Sequence, residues 1–214
     1  VQGYSDESSW ARGQAWALYG YTMMYRETGM EEFLEAARNI GDMIICRLTE
    51  DGIPYWDFDD PAIPEALKDA SAGAIMASAF IELSSLSGDS RYLETARRQL
   101  LTLGSEEYLA NRGGNGCFIL KHGVGNIPGG TEIDVPLTYA DYYFLEAVRL
   151  KEKGELDAAF DMYSHCLEID SISAVVQYEL AQFYMFLGQN SKGESFLRKA
   201  VALEPDNYWY KQTL

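Results

Sequence analysis

A cluster of polar and aromatic side chains lies at the start of the first predicted helix. Two indoles, a guanidinium and an amide fall within two turns, at Trp10, Trp16, Arg12 and Gln14. Residues three and four apart are neighbours on a helix surface, so we expect these groups to lie close together. A guanidinium matches a carboxylate in shape, and an indole offers a flat apolar face to a sugar ring. The pattern suits an acidic sugar, but it is equally typical of a core helix with two packed tryptophans, whose Arg12 extends its charged end to solvent or pairs with Asp6 or Glu7.

Further short motifs follow this cluster along the first two thirds of the chain. They are Gln2-Gly3, Ser9-Trp10-Ala11-Arg12-Gly13-Gln14-Ala15-Trp16, Tyr55-Trp56-Asp57-Phe58-Asp59, Asp69-Ala70-Ser71-Ala72 and Asp134-Val135-Pro136-Leu137-Thr138-Tyr139-Ala140-Asp141-Tyr142-Tyr143-Phe144. In this order they resemble the C-terminal half of the unsaturated glucuronyl hydrolases, glycoside hydrolase family 88. The resemblance runs from residue 1 to about residue 147.

The resemblance implies an (α/α)6 barrel, a six-hairpin toroid, that acts on 4,5-unsaturated uronic acid at the non-reducing end of glycosaminoglycan oligosaccharides. In that family an aspartate protonates the vinyl ether double bond and activates water, and the hemiketal that results opens to release the remaining saccharide. Neither a metal nor another cofactor takes part. Gln2, Arg12 and Trp16 match family positions that contact the unsaturated sugar, and Tyr139 is a weaker match.

The same resemblance leaves this chain without a catalytic residue. The catalytic aspartates of the family lie upstream of the Gln2-Gly3 pair, and none of Asp57, Asp59 or Asp69 matches them. We therefore expect a chain that keeps part of the sugar-binding face and has little or no activity alone.

Other candidate site residues come from the sequence itself. Trp10 and Trp56 could form walls of a cleft, and Lys121 could meet a sulfate or carboxylate on the sugar. The acidic loop around Asp57 could supply the paired carboxylates of glycoside hydrolysis, but capping of a proline-rich loop is the favoured interpretation of its aspartates. Asp69, just before a run of small residues, is expected to be a helix N-cap.

Composition limits the classes of partner. The net charge of -16 disfavours nucleic acid and anionic membranes, because phosphate binding needs lysine and arginine. Cys46, Cys117 and Cys166 show no metal-binding or disulfide spacing and are expected to be unpaired, buried thiols. No apolar run is long enough for a membrane span. A soluble protein of the cytoplasm or periplasm is expected, without a choice between the two compartments.

Hydrophobic spacing predicts an all-α protein. Two predicted helices are apolar nearly all round, as inner helices of a barrel would be, at residues 10–26 and 69–86. Two others have one polar face, as outer helices would, at residues 31–48 and 91–110. A helical hairpin of about 60 residues thus repeats. Short turns join each inner helix to its outer partner, whereas long segments lead into the inner helices. All unusual motifs should therefore meet on one face of a partial barrel.

The pattern changes after residue 147. Gly154, Ala159, Tyr163, Ile169 and Asp170 recur 34 residues later, at Gly188, Gly193, Leu197, Leu203 and Glu204. This period is typical of tetratricopeptide repeats. We therefore expect two domains, residues 1–147 and 148–214, joined by a fusion or an assembly artefact, or else one natural protein with a helical extension. The alternative function is a non-catalytic scaffold that binds protein partners through the repeats.

Overall fold

The computed structural model of the chain describes residues 2–150, 173–186 and 189–213. Contacts divide the chain into two compact units, Val1–Glu155 and Leu156–Leu214. Each unit is helical, and the described residues contain isolated β-bridges but no strand. The all-α prediction is therefore confirmed.

The described residues of the first unit form two α-helical hairpins and a fifth α-helix. Helix α1 spans Ala11–Thr28, α2 spans Glu31–Arg47, α3 spans Ala70–Ser87, α4 spans Ser90–Leu103 and α5 spans Thr138–Arg149. Gly29 directly follows α1 and Gly88 directly follows α3, both in the left-handed conformation, with φ of 68° and 73°. Only glycine adopts this conformation without steric cost, so each glycine starts a tight turn into the outer helix.

Helix α3 forms the centre of this unit. Its small side chains, such as Ala72, Ala74 and Ala77, are fully buried, and they allow α1, α4 and α5 to pack closely against it. By length and hydropathy α3 could also cross a membrane, but 72% of that window is buried inside the protein, so this is weak evidence for a span. α4 buries one face only, as expected for an outer helix.

The second unit contains three described helices. They are α6, Ala174–Phe186, α7, Asn190–Leu203, and α8, Tyr208–Thr213. α6 and α7 form a closely packed hairpin: a Cβ atom at Gly193 would lie 2.6 Å from Cγ of Met185 and 2.9 Å from the carbonyl oxygen of Ala181. The first predicted repeat, from Gly154 to Asp170, and Cys166 lie outside the described residues.

The cysteine prediction is half right. Cys46 and Cys117 are free, as expected, but both are exposed, so the expectation that they are buried was wrong. Cys46 lies in the last turn of α2, and Cys117 lies in a short 3-10 turn, Asn115–Cys117. Neither position faces the core.

Candidate functional site

Three non-helical segments meet at the N-terminal ends of α1 and α3. The N-terminal segment pairs with the acidic loop, because Phe58 N donates to Ser9 O at 3.1 Å and Ala11 N donates to Trp56 O at 3.0 Å. The glycine-rich segment before α5 reaches α3, where Ala70 N donates to His122 O at 3.0 Å. These contacts confirm that the unusual motifs converge on one face.

Arg12 lies at the centre of this face. It is 5% exposed, and its Nη1 lies 3.4 Å from Oδ2 of Asp69. Nη1 also donates to the carbonyl oxygen of Val124, and Nη2 donates to that of Gly125. The guanidinium carbon lies 4.7 Å from the ring centre of Trp10 and 5.3 Å from that of Tyr139. The guanidinium is therefore held by one carboxylate, two carbonyls and two aromatic rings.

Asp69 is the buried partner of this arginine. It caps α3 as predicted, accepting hydrogen bonds from Ser71 N at 2.9 Å and Ser71 Oγ at 2.6 Å. It also accepts from Val124 N at 3.1 Å. Burial raises the pKa of Asp69, while the Arg12 charge and the hydrogen bonds act in the opposite direction.

The ion pair corrects one interpretation of the sequence. The carboxylate that pairs with Arg12 is that of Asp69 rather than that of Asp6 or Glu7. Asp69 is 57 residues from Arg12 along the chain, so no local spacing could have indicated the pair.

Aromatic rings from α1 and α5 form a wall beside Arg12. The ring centre of Trp16 lies 6.2 Å from that of Tyr139 and 5.1 Å from that of Tyr143. Burial raises the pKa values of both tyrosines, so they are neutral hydrogen-bonding groups at ordinary pH. Tyr143 is a site residue that we did not predict, although its spacing of four residues from Tyr139 places both on one face of α5.

The acidic loop has structural partners. Asp57 is fully buried and accepts from Tyr4 N at 2.8 Å, Ser8 Oγ at 2.7 Å and Asp59 N at 2.9 Å. Asp59 accepts from Ser9 N at 2.7 Å and pairs with Arg47 at 2.6 Å. Hydrogen bonds from Arg47 and Ser9 hold the pKa of Asp59 below its usual value. These contacts support the interpretation that the aspartates shape the loop.

Trp56 is placed differently from the cleft wall that we expected. It is only 4% exposed, and its indole Nε1 donates to Asp60. Pairing of the loop with the N-terminal segment turns this ring into the core. Its accessible surface is too small for stacking against a sugar ring.

The glycine-rich segment carries the remaining candidates. Nζ of Lys121 donates to Glu106 O at 2.7 Å, and His122 Nδ1 lies 2.6 Å from Asp134 Oδ1. Asp141 is a structural acceptor for this segment, since Ile119 N and Leu120 N donate to it at 2.9 Å each. Direct contacts thus join Trp10, Arg12, Trp16 and Tyr139. Gln2 is exposed on the N-terminal segment, and Lys121 lies in the segment that supplies the carbonyls for Arg12.

Known proteins match both parts of the chain. An unsaturated glucuronyl hydrolase of Formosa agariphila is 49% identical over 153 residues, which are 71% of this chain and 38% of that protein. An unsaturated chondroitin disaccharide hydrolase of Streptococcus pyogenes is 33% identical, over 69% of this chain and 38% of that protein. The chain thus spans about two fifths of the length of these relatives.

A solved structure and a family model complete the comparison. The crystal structure of an unsaturated glucuronyl hydrolase specific for heparin matches with a TM-score of 0.71 and 48% identity, covering 74% of this chain and 44% of that one. Such hydrolases are (α/α)6 toroids. The tetratricopeptide repeat family model matches residues 150–213. Over about 71% of its length the chain is therefore homologous to the unsaturated glucuronyl hydrolases of glycoside hydrolase family 88, and a tetratricopeptide-repeat segment follows.

Proposed function

We propose that the first unit binds an unsaturated uronic acid at the non-reducing end of a glycosaminoglycan oligosaccharide, as part of a glucuronyl hydrolase toroid. The names of the relatives from Formosa agariphila and Streptococcus pyogenes support this substrate class. The binding face comprises Trp10, Arg12, Trp16 and Tyr139, bordered by Gln2 and Lys121.

The fixed position of Arg12 between Trp10 and Tyr139 carries this proposal. A guanidinium has five N–H donors, and the contacts with Asp69, Val124 and Gly125 fix the position of the Arg12 guanidinium. Because Arg12 is almost completely buried, it acts from beneath the rings: it orients them and offsets the charge of the sugar carboxylate in a region of low dielectric. The aromatic faces supply the apolar contact with the sugar ring.

The proposed reaction is hydration of the vinyl ether, with the acid supplied from outside the described residues. A carboxyl that donates a proton near neutral pH needs a raised pKa and contact with the substrate. Asp69 has the raised pKa, but it is fully buried behind Arg12. Asp57 is also fully buried, and Asp59 has a lowered pKa and pairs with Arg47. We therefore expect the unit to bind the sugar without catalysing its hydration.

The test titrates the purified chain with an unsaturated chondroitin disaccharide in a calorimeter. In parallel, the ultraviolet absorbance of the conjugated uronyl double bond is followed over time. We expect saturable binding and a constant absorbance. Gln2→Ala should weaken binding about two- to tenfold, since one hydrogen bond contributes about 0.5–1.5 kcal/mol. Gln212→Ala, an exposed glutamine of the second unit, is the matched control and should leave binding unchanged.

Two outcomes would contradict the proposal. Absence of binding by a folded parent chain would refute the sugar-binding role. Decay of the absorbance in the presence of the parent chain would show that the catalytic acid lies within this chain.

A second candidate function is a scaffold that binds a protein partner through the tetratricopeptide segment. The family match at residues 150–213 and the close packing of α6 on α7 at Gly193 favour it. Repeats of this kind stack into extended concave binding surfaces. If the folded chain does not bind the disaccharide but binds a peptide through residues 150–213, the scaffold function is favoured.

A further inference from the structure

Glu146 joins helices α1, α3 and α5 of the first unit. It lies on α5, and its Oε1 accepts a hydrogen bond from the hydroxyl of Tyr19 on α1 at 3.1 Å. Its Oε2 accepts from Ser78 Oγ on α3 at 2.5 Å. Tyr142 of its own helix also donates to Oε1, at 3.4 Å. Three hydroxyl groups therefore hold one carboxylate, and two of them belong to other helices.

Tyr19 connects this carboxylate to the aromatic wall. The ring centre of Tyr19 lies 5.0 Å from that of Tyr143, with 76° between the ring planes. The ring centre of Tyr143 lies 5.1 Å from that of Trp16, with 72° between the planes. Edge-to-face pairs prefer this geometry, so the orientation of each ring depends on that of its neighbour. Glu146 thus lies at one end of a series of contacts that ends at Trp16.

The hydrogen bond between Tyr19 and Glu146 fixes the first ring of this series. Burial raises the pKa of Tyr19, and the neighbouring charge of Glu146 raises it further, so the hydroxyl keeps its proton at ordinary pH. A hydrogen bond to a carboxylate is stronger than one between neutral groups. The carboxylate therefore favours one orientation of the phenol ring.

Glu82 differs from Glu146, although both line the same open pocket. This pocket has a volume of about 230 Å³ and is also lined by Tyr19, Arg26, Ser78 and Leu150. Glu82 pairs with Arg26 at 2.7 Å. Within the described part of the chain its hydrogen bond goes to this arginine and to no aromatic residue. The two glutamates therefore separate the effect of charge in the pocket from the effect of contact with Tyr19.

We propose that Glu146 is a positioning residue for the aromatic wall, and that it sets the orientation of Tyr143 and Trp16 through Tyr19. The inference rests on the sugar-binding role proposed above, in which Trp16 contacts the sugar ring. Glu146 acts through the rings and not by contact with the sugar, because it lies about 10 Å further along α5 than Tyr139.

The experiment labels the chain with 5-fluorotryptophan and records its fluorine NMR spectrum without sugar. Trp16→Phe identifies the Trp16 resonance among those of the four tryptophans. Glu146→Met is the test variant, because a thioether is only a weak acceptor, whereas Glu146→Gln keeps one good acceptor oxygen. Glu82→Met is the matched control. Calorimetry with the unsaturated chondroitin disaccharide then compares the affinities of the same variants.

We expect the Trp16 resonance to shift in Glu146→Met and in Tyr19→Phe, and to stay close to its parent position in Glu146→Gln and Glu82→Met. Glu146→Met should add no further shift in the Tyr19→Phe background, because the contact is already lost. The disaccharide should bind Glu146→Met about two- to tenfold more weakly than the parent, the range expected for one well-oriented aromatic contact.

An unchanged Trp16 resonance in Glu146→Met would overturn the inference, and so would an equal shift in Glu82→Met. Equal disaccharide affinity of the parent and Glu146→Met would overturn it as well. If the resonance shifts as expected but the parent does not bind the disaccharide, the proposed sugar-binding role fails, whereas the positioning of the wall by Glu146 stands. Circular dichroism checks the fold of each variant; if Glu146→Met does not fold, Tyr19→Phe decides, since it removes only the hydroxyl.

Discussion

Neutralising Asp69 should destabilise the first unit strongly, because it leaves Arg12 as a buried and unpaired charge. In Asp69→Asn the side chain keeps an oxygen that can cap α3, so loss of the cap contributes little. What changes is the charge opposite the Arg12 guanidinium, 3.4 Å away. The variant therefore isolates the ion pair from the cap.

The magnitude follows from the burial of both partners. The side chains of Arg12 and Asp69 are 7% and 0% exposed, so solvent cannot replace the lost interaction. Breaking a buried pair by removal of one charge costs about 3–5 kcal/mol. The two carbonyls of Val124 and Gly125 still accept from Arg12, which compensates in part. We expect a loss of about 2–4 kcal/mol in the free energy of unfolding.

Urea unfolding followed by tryptophan fluorescence measures this loss. A Trp209→Phe background removes the tryptophan of the second unit, so that Trp10, Trp16 and Trp56 report on the first unit alone. Asp89→Asn is the matched control: Asp89 caps α4 in the same manner, accepting from Arg91 N at 3.0 Å. Its ion pair with Arg91 is exposed to water, so we expect little change.

Equal stability of Asp69→Asn and Asp89→Asn would refute the reasoning. It would mean that Arg12 finds solvent or another acceptor when the charge of Asp69 is removed. Combining Asp69→Asn with Arg12→Met should cost less than the sum of the two single substitutions, since the pair is lost only once.

Two further predictions concern the acidic loop and the helix glycines. The lowered pKa of Asp59, caused first by the hydrogen bond from Arg47, should make the parent more stable than Asp59→Asn above the unfolded pKa of about 3.9. This advantage should vanish as pH falls through the folded pKa, and a pH-independent difference in urea midpoints would contradict the assignment. Gly20→Ala should stabilise the chain by about 0.5–1 kcal/mol, because its Cβ meets open space. Gly41→Ala should be less stable than Gly20→Ala by about 1–3 kcal/mol, because its Cβ presses on Tyr92 and Phe80; equal midpoints for the two variants would contradict this.

Patterns along the chain predicted the helices and the side of the unit on which the motifs meet. These features depend on local rules: apolar spacing, a left-handed glycine at Gly29 and Gly88, and an N-cap at Asp69. Observed helix bounds lie within a few residues of the expected ones, except that α4 ends at Leu103 and not near residue 110. Gly104 directly follows α4. Glycine at this position commonly ends a helix, but hydrophobic periodicity alone does not take it into account.

The pairing of polar groups and the accessibility of the aromatic rings depend on how distant segments pack together. Arg12 contacts Val124 and Gly125 across more than a hundred residues of chain, and Trp56 turns into the core because its loop pairs with the N-terminal segment. Cys46 lies at an exposed position of α2, although its residue type favours burial. Burial depends on which surfaces distant segments cover, and a pattern of neighbouring residues along the chain does not contain that information.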